Sequence, residues 1–135
     1  MRPGRTLSIL ILSVSAVSCS PTTYDTSITT AKPAPTTTVL PTGSAAVLLP
    51  QLVTEASTLS SLIAGQGDKL AAVERIEALW AAVSAEVTGK DHDLAAEIGA
   101  EVVKGRTAAV LNRPAAADKV YRDLTALVKA YLAAA

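Results

Sequence analysis

The sequence predicts an all-α protein: an antiparallel up-down four-helix bundle after a signal peptide and a disordered Thr/Pro-rich linker. Three observations carry that expectation. Apolar residues recur at steps of three and four over four stretches between Ala45 and Ala135, the spacing of one helix face. The breaks between those stretches are only two to four residues long, which sets neighbouring helices antiparallel. The chain is 50% hydrophobic but 3% aromatic, with no Phe, so Ala, Leu and Val must fill the core. Composition then divides the chain into a signal peptide (1–18), a cysteine with a Thr/Pro-rich tether (19–44) and a helical domain (45–135).

The first segment reads as an address. Met1 to Arg5 carries two arginines, and Leu7 to Val17 is an eleven-residue apolar and small-residue run. These are the n-region and h-region of a secretory signal. The run is shorter than the roughly 20 apolar residues a membrane-spanning helix needs. Ala16-Val17-Ser18-Cys19 follows, and here the stretch resembles a bacterial lipoprotein signal, whose lipobox ends in the cysteine that receives lipid. That resemblance implies a diacylglycerol on the sulfur of Cys19, with acyl chains of the palmitate type, and Cys19 as the first mature residue. Ala16 stands where that pattern usually has Leu. Ala16-Val17-Ser18 also satisfies the small-x-small rule of an ordinary signal peptidase, so a freely secreted protein stays open beside the anchored one. Cys19 is the only cysteine, which removes any intramolecular disulfide or multi-cysteine metal site.

Sixteen of the 25 residues from Ser20 to Ser44 are Thr, Ser or Pro, with two charges, Asp25 and Lys32. Such a segment buries too little apolar surface to offset chain entropy and is expected to be disordered. As a coil it spans roughly 25–30 Å. It reads either as a spacer, with Thr and Pro suited to glycosylation, or as a linker whose sequence is immaterial.

The first helix is expected over Ala45 to Ala64, with Leu48, Leu49, Leu52, Ala56, Leu59 and Ile63 on one stripe. Pro50 suits an early turn, so the regular helix is expected from near Leu49. Gly65-Gln66-Gly67 ends it. Asp68 caps the second helix, whose stripe is Leu70, Val73, Ile76, Trp80, Val83 and Val87, with Gly89 as its stop. Asp91 and Asp93 favour the start of a third helix, where the dipole is positive. Its inner face is Leu94, Ile98, Val102 and Ala109, and Asn112 stops it. Pro114 opens the fourth helix, which runs on Val120, Leu124, Leu127 and Tyr131.

Charge excludes one class of partner. From Ala45 onward nine Lys/Arg stand against eleven Asp/Glu, a balance without the basic patch that nucleic acid requires. A di-iron bundle needs two Glu-x-x-His motifs, but His92 is the single histidine and has no such spacing. Glu74 and Glu77 read as solvated flank residues, and His92 as an exposed helix start. No base, nucleophile and orienting group fall together, and Gly65-x-Gly67 lacks the rest of a phosphate loop. The expectation is therefore no enzyme, no metal and no cofactor. Trp80 reads as the large core anchor of the second helix. Its alternative is a partly exposed aromatic at a binding groove, and Trp80 with Tyr121 are the candidate partner-binding residues. Gly99 and Gly105 inside the third helix read as points of close helix approach.

Arg113-Pro114-Ala115-Ala116-Ala117-Asp118-Lys119-Val120-Tyr121, with Glu74-Arg75-Ile76-Glu77-Ala78-Leu79-Trp80, is similar to small helical lipoproteins of actinobacterial envelopes. The likeness covers most of Leu48 to Leu132 by patterning rather than by a chemical motif. It implies compartment and fold and supplies no activity. Taken together, the sequence leads to a secreted small envelope protein, held through lipid on Cys19 to the outer side of the cytoplasmic membrane. Its helical domain is expected to be an interaction module that displays a helical face to another envelope protein or to a small apolar ligand. Two other readings stand beside it: a purely structural envelope protein, and a metal- or solute-binding accessory bundle.

Overall fold

A computed structural model describes residues 39–134 of the chain. The signal peptide, Cys19 and the tether as far as residue 38 lie outside the described residues. Four helices follow one another: α1 (Ala45–Ala64), α2 (Lys69–Lys90), α3 (His92–Val110) and α4 (Pro114–Ala133). Among the described residues there is no strand. Each helix packs on the next, α4 returns to α1, and the diagonal pair α1 and α3 meets only sparsely. The arrangement is a four-helix bundle.

The helix ends show why the chain breaks where it does. Asp68 caps α2 by accepting from the Ala71 amide at 3.0 Å, and Asp91 caps α3 by accepting from the Leu94 amide at 3.0 Å. Each satisfies an amide that the helix cannot pair internally. Asn112 takes a left-handed φ of 52°, and the Arg113 amide donates to the Ala108 carbonyl at 2.8 Å. The same reversal ends α1, where the Gly67 amide donates to Leu62 O at 2.8 Å. There the left-handed residue is Gln66, with φ 55°, rather than either flanking glycine. Gly67 lies close under Leu62: a Cβ on it would stand 2.7 Å from Leu62 Cδ2, the tip of a side chain that could turn aside.

Two expected boundaries move. α1 begins at Ala45 and carries Pro50 inside it, not from near Leu49. Pro50 and Ala46 both face solvent, so water can bond the Ala46 carbonyl that loses its amide partner. The α1 N-terminus has no cap from Ser44; instead the Ala45 amide donates to Glu86 Oε2 of α2 at 2.8 Å. Gly89 does not stop α2, which continues to Lys90, because Asp91 serves as both the end of α2 and the cap of α3.

The largest fully buried side chains are Leu49, Leu52, Leu59, Ile98, Leu124, Val73, Val83 and Val87. Burying each such side chain contributes about 1.5–3 kcal/mol. α1 is long and apolar enough to pass for a membrane span by length and composition, yet its leucine row is turned into this core. Its outer face carries Thr54, Ser57, Thr58 and Ser61, whose hydroxyls donate to carbonyls of their own helix.

The expected stripes shift by one position in three places. Leu70 is 49% exposed, at an end of the bundle where Val110 and Leu111 are exposed too. Leu79 takes the core position on α2 and Trp80 is half-buried beside it, while on α4 Val128 is buried and Leu127 half-buried. On α3 Ala95 is buried and the expected Leu94 half-buried, so on α2 and α3 the inward row steps by three where four was expected, and on α4 by four where three was expected.

Candidate functional site

The seam between α3 and α4 holds the one chemically unusual group of the domain. The inward row of α3 is Ala95, Ile98, Glu101, Val102, Gly105, Ala108 and Ala109. Glu101 occupies a place where every other such position is apolar or small, and it is only 7% exposed. Its Oε1 accepts a bond from Lys104 Nζ, one turn on. Among the described residues, Oε2 of Glu101 is the single buried side-chain polar atom with no partner. Leaving such an atom unpaired costs roughly 1–3 kcal/mol, and more when it is charged.

The groups around Glu101 are cationic and apolar. A hollow of about 280 Å³ is lined by Glu101, Lys104, Arg113 and Lys119, over a floor that includes Ala108 and Val120. A neighbouring hollow of about 330 Å³ shares Glu101 and Lys104 and adds Asp123. Lys119 donates to Asp123 Oδ2 at 2.6 Å. That bond holds the Asp123 carboxyl below the usual carboxylate range, against a smaller opposing effect of burial. The bond from Lys104 to Glu101, and then the attraction between their charges, raises Lys104 above the usual lysine value. Arg113 has no side-chain partner among the described residues and stands at the N-terminus of α4, which has no side-chain cap and no acid in its first turn. The sequence signal for Glu101 is its place in the row 98, 101, 105, 108, at a step where a glutamate is rarely buried.

The two aromatic candidates lie on different seams. Trp80 packs from α2 toward α3, where a Cβ on Gly99 would stand 3.4 Å from its Nε1. The missing side chain at Gly99 gives the indole its bed. Tyr121 is half-buried on α4. At 100° per residue it sits on the flank away from Ala116, Lys119 and Asp123, the row that lines the α3 side. The structure therefore does not bring Trp80 and Tyr121 into one site. Gly105 also faces a close neighbour, with a Cβ placed 3.6 Å from Val120 Cγ1 and 3.8 Å from Leu59 Cδ2.

Several other charged groups are matched across helices. Glu77 holds Arg106 through two bonds across α2 and α3, and Glu55 accepts from Arg75 at 2.9 Å across α1 and α2. The bond from Arg106 sets the Glu77 carboxyl below its usual range, although burial pushes the other way. Tyr131 is buried under Lys90, whose Nζ lies 5.0 Å from the ring centroid. Burial first, and then the Glu86 charge, raise the Tyr131 hydroxyl above its usual value. His92 is 82% exposed, with Nδ1 3.7 Å from Asp93. Among the described residues no three His, Cys, Asp or Glu come together as a metal would need. A hollow of about 510 Å³ between α1 and α2 is larger, with Val39 and Pro41 on its wall. It contains no unpartnered buried polar atom, and the Glu55–Arg75 pair occupies its rim.

Comparison with known proteins finds no matching family profile, no matching curated protein and no matching solved structure.

Proposed function

We propose that this chain is a lipid-anchored envelope protein whose helical domain is a non-catalytic interaction module. The observation that carries the anchoring is the lone Cys19, set after an eleven-residue apolar run and before a Thr/Pro tract. Two or more acyl chains on one residue give stable attachment where a single chain is marginal. The domain would then stand on a tether from the outer side of the cytoplasmic membrane, as in the small actinobacterial lipoproteins it resembles.

In this reading the four helices run up-down and antiparallel. Cross-helix contacts support it: Ala45 with Glu86 and Glu55 with Arg75 between α1 and α2, Glu77 with Arg106 between α2 and α3, and Lys69 with Asn112 in the turn just past α3. In each pair of helices, one residue number rises as its partner's falls. Val39 and Pro41 lie along α1 and α2, which leaves the α3–α4 seam open to an envelope partner. Trp80 and Tyr121, on separate seams, would serve two contacts rather than one. The buried, half-satisfied Glu101 favours binding over a purely structural role, because an idle bundle gains nothing from an orphaned carboxylate oxygen.

The test is Cys19→Ala, followed by fractionation of membranes from soluble material. The proposal expects the wild-type chain in the membrane fraction and the variant in the soluble one. Unchanged partitioning would remove the lipid anchor from the account.

A further inference from the structure

We propose that the outer face of α3 is a self-association surface, on which a second copy of this chain packs its own α3 antiparallel. Among the described residues of the four helices, the two most exposed large apolar side chains are Val103 and Val110, at 64% and 58%. They belong to one row, Ala96, Ala100, Val103, Thr107 and Val110, all of it exposed. Steps of four, three, four and three are the seam spacing of paired helices. At 100° per residue the row turns away from the inward residues Ile98, Val102 and Ala109. It holds no charge, and the Thr107 hydroxyl is occupied by the Val103 carbonyl at 3.0 Å.

Charge selects the partner and the register. Glu97 and Lys104 stand on the α4 flank of the row, where both line one hollow with Leu127. Glu97 is exposed. Lys104 is 61% exposed and holds Glu101 with one of its three donors. In an antiparallel pair with Ala100 level with Val103 of the second copy, Ala96 falls level with Thr107. Glu97 of each copy then faces Lys104 of the other, and the two-fold axis makes two such pairs. A slide of one heptad sets Glu97 against Glu97 in one direction and Lys104 against Lys104 in the other. A parallel pair would set Glu97 against His92 and leave Lys104 opposite Gly99. On the α2 flank Arg106 is already turned to Glu77, and Gly99 keeps the surface low beside Trp80.

One helix face is smaller than the about 800 Å² per partner of a stable complex, so the association is weak, with a Kd of about 100 μM. The proposal names the partner for one face of the interaction module and does not depend on the lipid. Membrane partitioning tests the anchor; self-association of the Cys19→Ala chain tests this face alone.

The experiment is sedimentation equilibrium of the full-length Cys19→Ala chain, which is expected to show monomer and dimer. Val103→Glu lies at an exposed position outside the core and should weaken the dimer about tenfold or more, by setting an unpaired carboxylate into the seam. Glu97→Lys should weaken it about fivefold, because both attractive pairs become repulsive. Ala96→Cys and Thr107→Cys, each in the Cys19→Ala chain, report the register without any competing thiol. Mixed and oxidised, the two variants should give a covalent heterodimer. Neither should crosslink to itself, since the antiparallel register sets the two copies of either residue about 16 Å apart along the helix, beyond the roughly 7 Å reach of a disulfide. A chain that stays monomeric at about 1 mM, equal association of the Val103→Glu variant, or self-crosslinking of Ala96→Cys as fast as the mixture overturns the proposal.

Discussion

α1 and α3 stand diagonally across the bundle and are built on opposite plans. α1 turns Leu48, Leu49, Leu52, Leu59 and Ile63 inward, and its outer face closes its hydroxyls on its own carbonyls. α3 turns inward two glycine- or alanine-rich turns, a valine, an isoleucine and Glu101. One helix supplies apolar bulk; the other is thin and carries a charged group into the interior. The contrast shows how a bundle with almost no aromatic residues can hold together and still keep one polar seam. The leucines of α1 stabilise the domain strongly enough that α3 can be spent on something other than packing.

The sharpest way to break this comparison is a pair of truncations. Leu52→Ala on α1 should cost about 2–5 kcal/mol in urea unfolding, through lost transfer energy and the cavity left behind. Val102→Ala on α3 removes two methyl groups from a thinner wall and should cost about 1–2 kcal/mol. Equal losses would mean that the two helices share the core evenly.

Gly105→Ala sharpens the account of α3. A Cβ there meets Val120 and Leu59 at ordinary contact distance, so nothing must move. The gain in helix propensity should then win, by about 0.5–1 kcal/mol in the same unfolding measurement. A loss would show that the close approach of α3 to α4 depends on glycine.

The smallest effect concerns the seam on the other side of α3. Arg106 holds the Glu77 carboxyl below its ordinary value of 4.5. A lowered folded value means that this pair stabilises the domain above the unfolded value, and that the benefit is lost as pH falls through the folded one. Glu77→Gln should therefore cost a few tenths of a kcal/mol at pH 7, as partly exposed pairs do. The difference between variant and wild type should shrink as pH is taken down from 4.5 and vanish once it is below the folded-state value. A difference that persists there would assign the effect to packing rather than charge.

Most of the architecture was legible because periodicity, caps and turn residues agree with one another. Asp68, Asp91, Asn112 and Pro114 mark ends that the structure places within a residue of the sequence reading. Three features were not legible. Pro50 inside α1 is tolerated only because its solvent-facing side leaves a carbonyl to water, which a linear reading does not show. The α1 N-terminus is satisfied by Glu86, more than 40 residues away (|i−j| = 41), and no local pattern announces a cap supplied by another helix. Glu101 is the third: its place in the inward row follows from the spacing, but nothing local marks a glutamate there as buried. Trp80 differs from these only by register, since it lies one step from the inward row, where Leu79 takes the core position.

The central claim is that Glu101 serves binding rather than stability, and urea unfolding of Glu101→Leu tests it most directly. Replacing a half-satisfied buried charge by an apolar side chain of similar size is neutral or stabilising when the charge does no structural service. The account predicts a midpoint equal to or above that of the wild-type chain. A destabilisation of about 2 kcal/mol or more would contradict it and return Glu101 to the framework of the bundle.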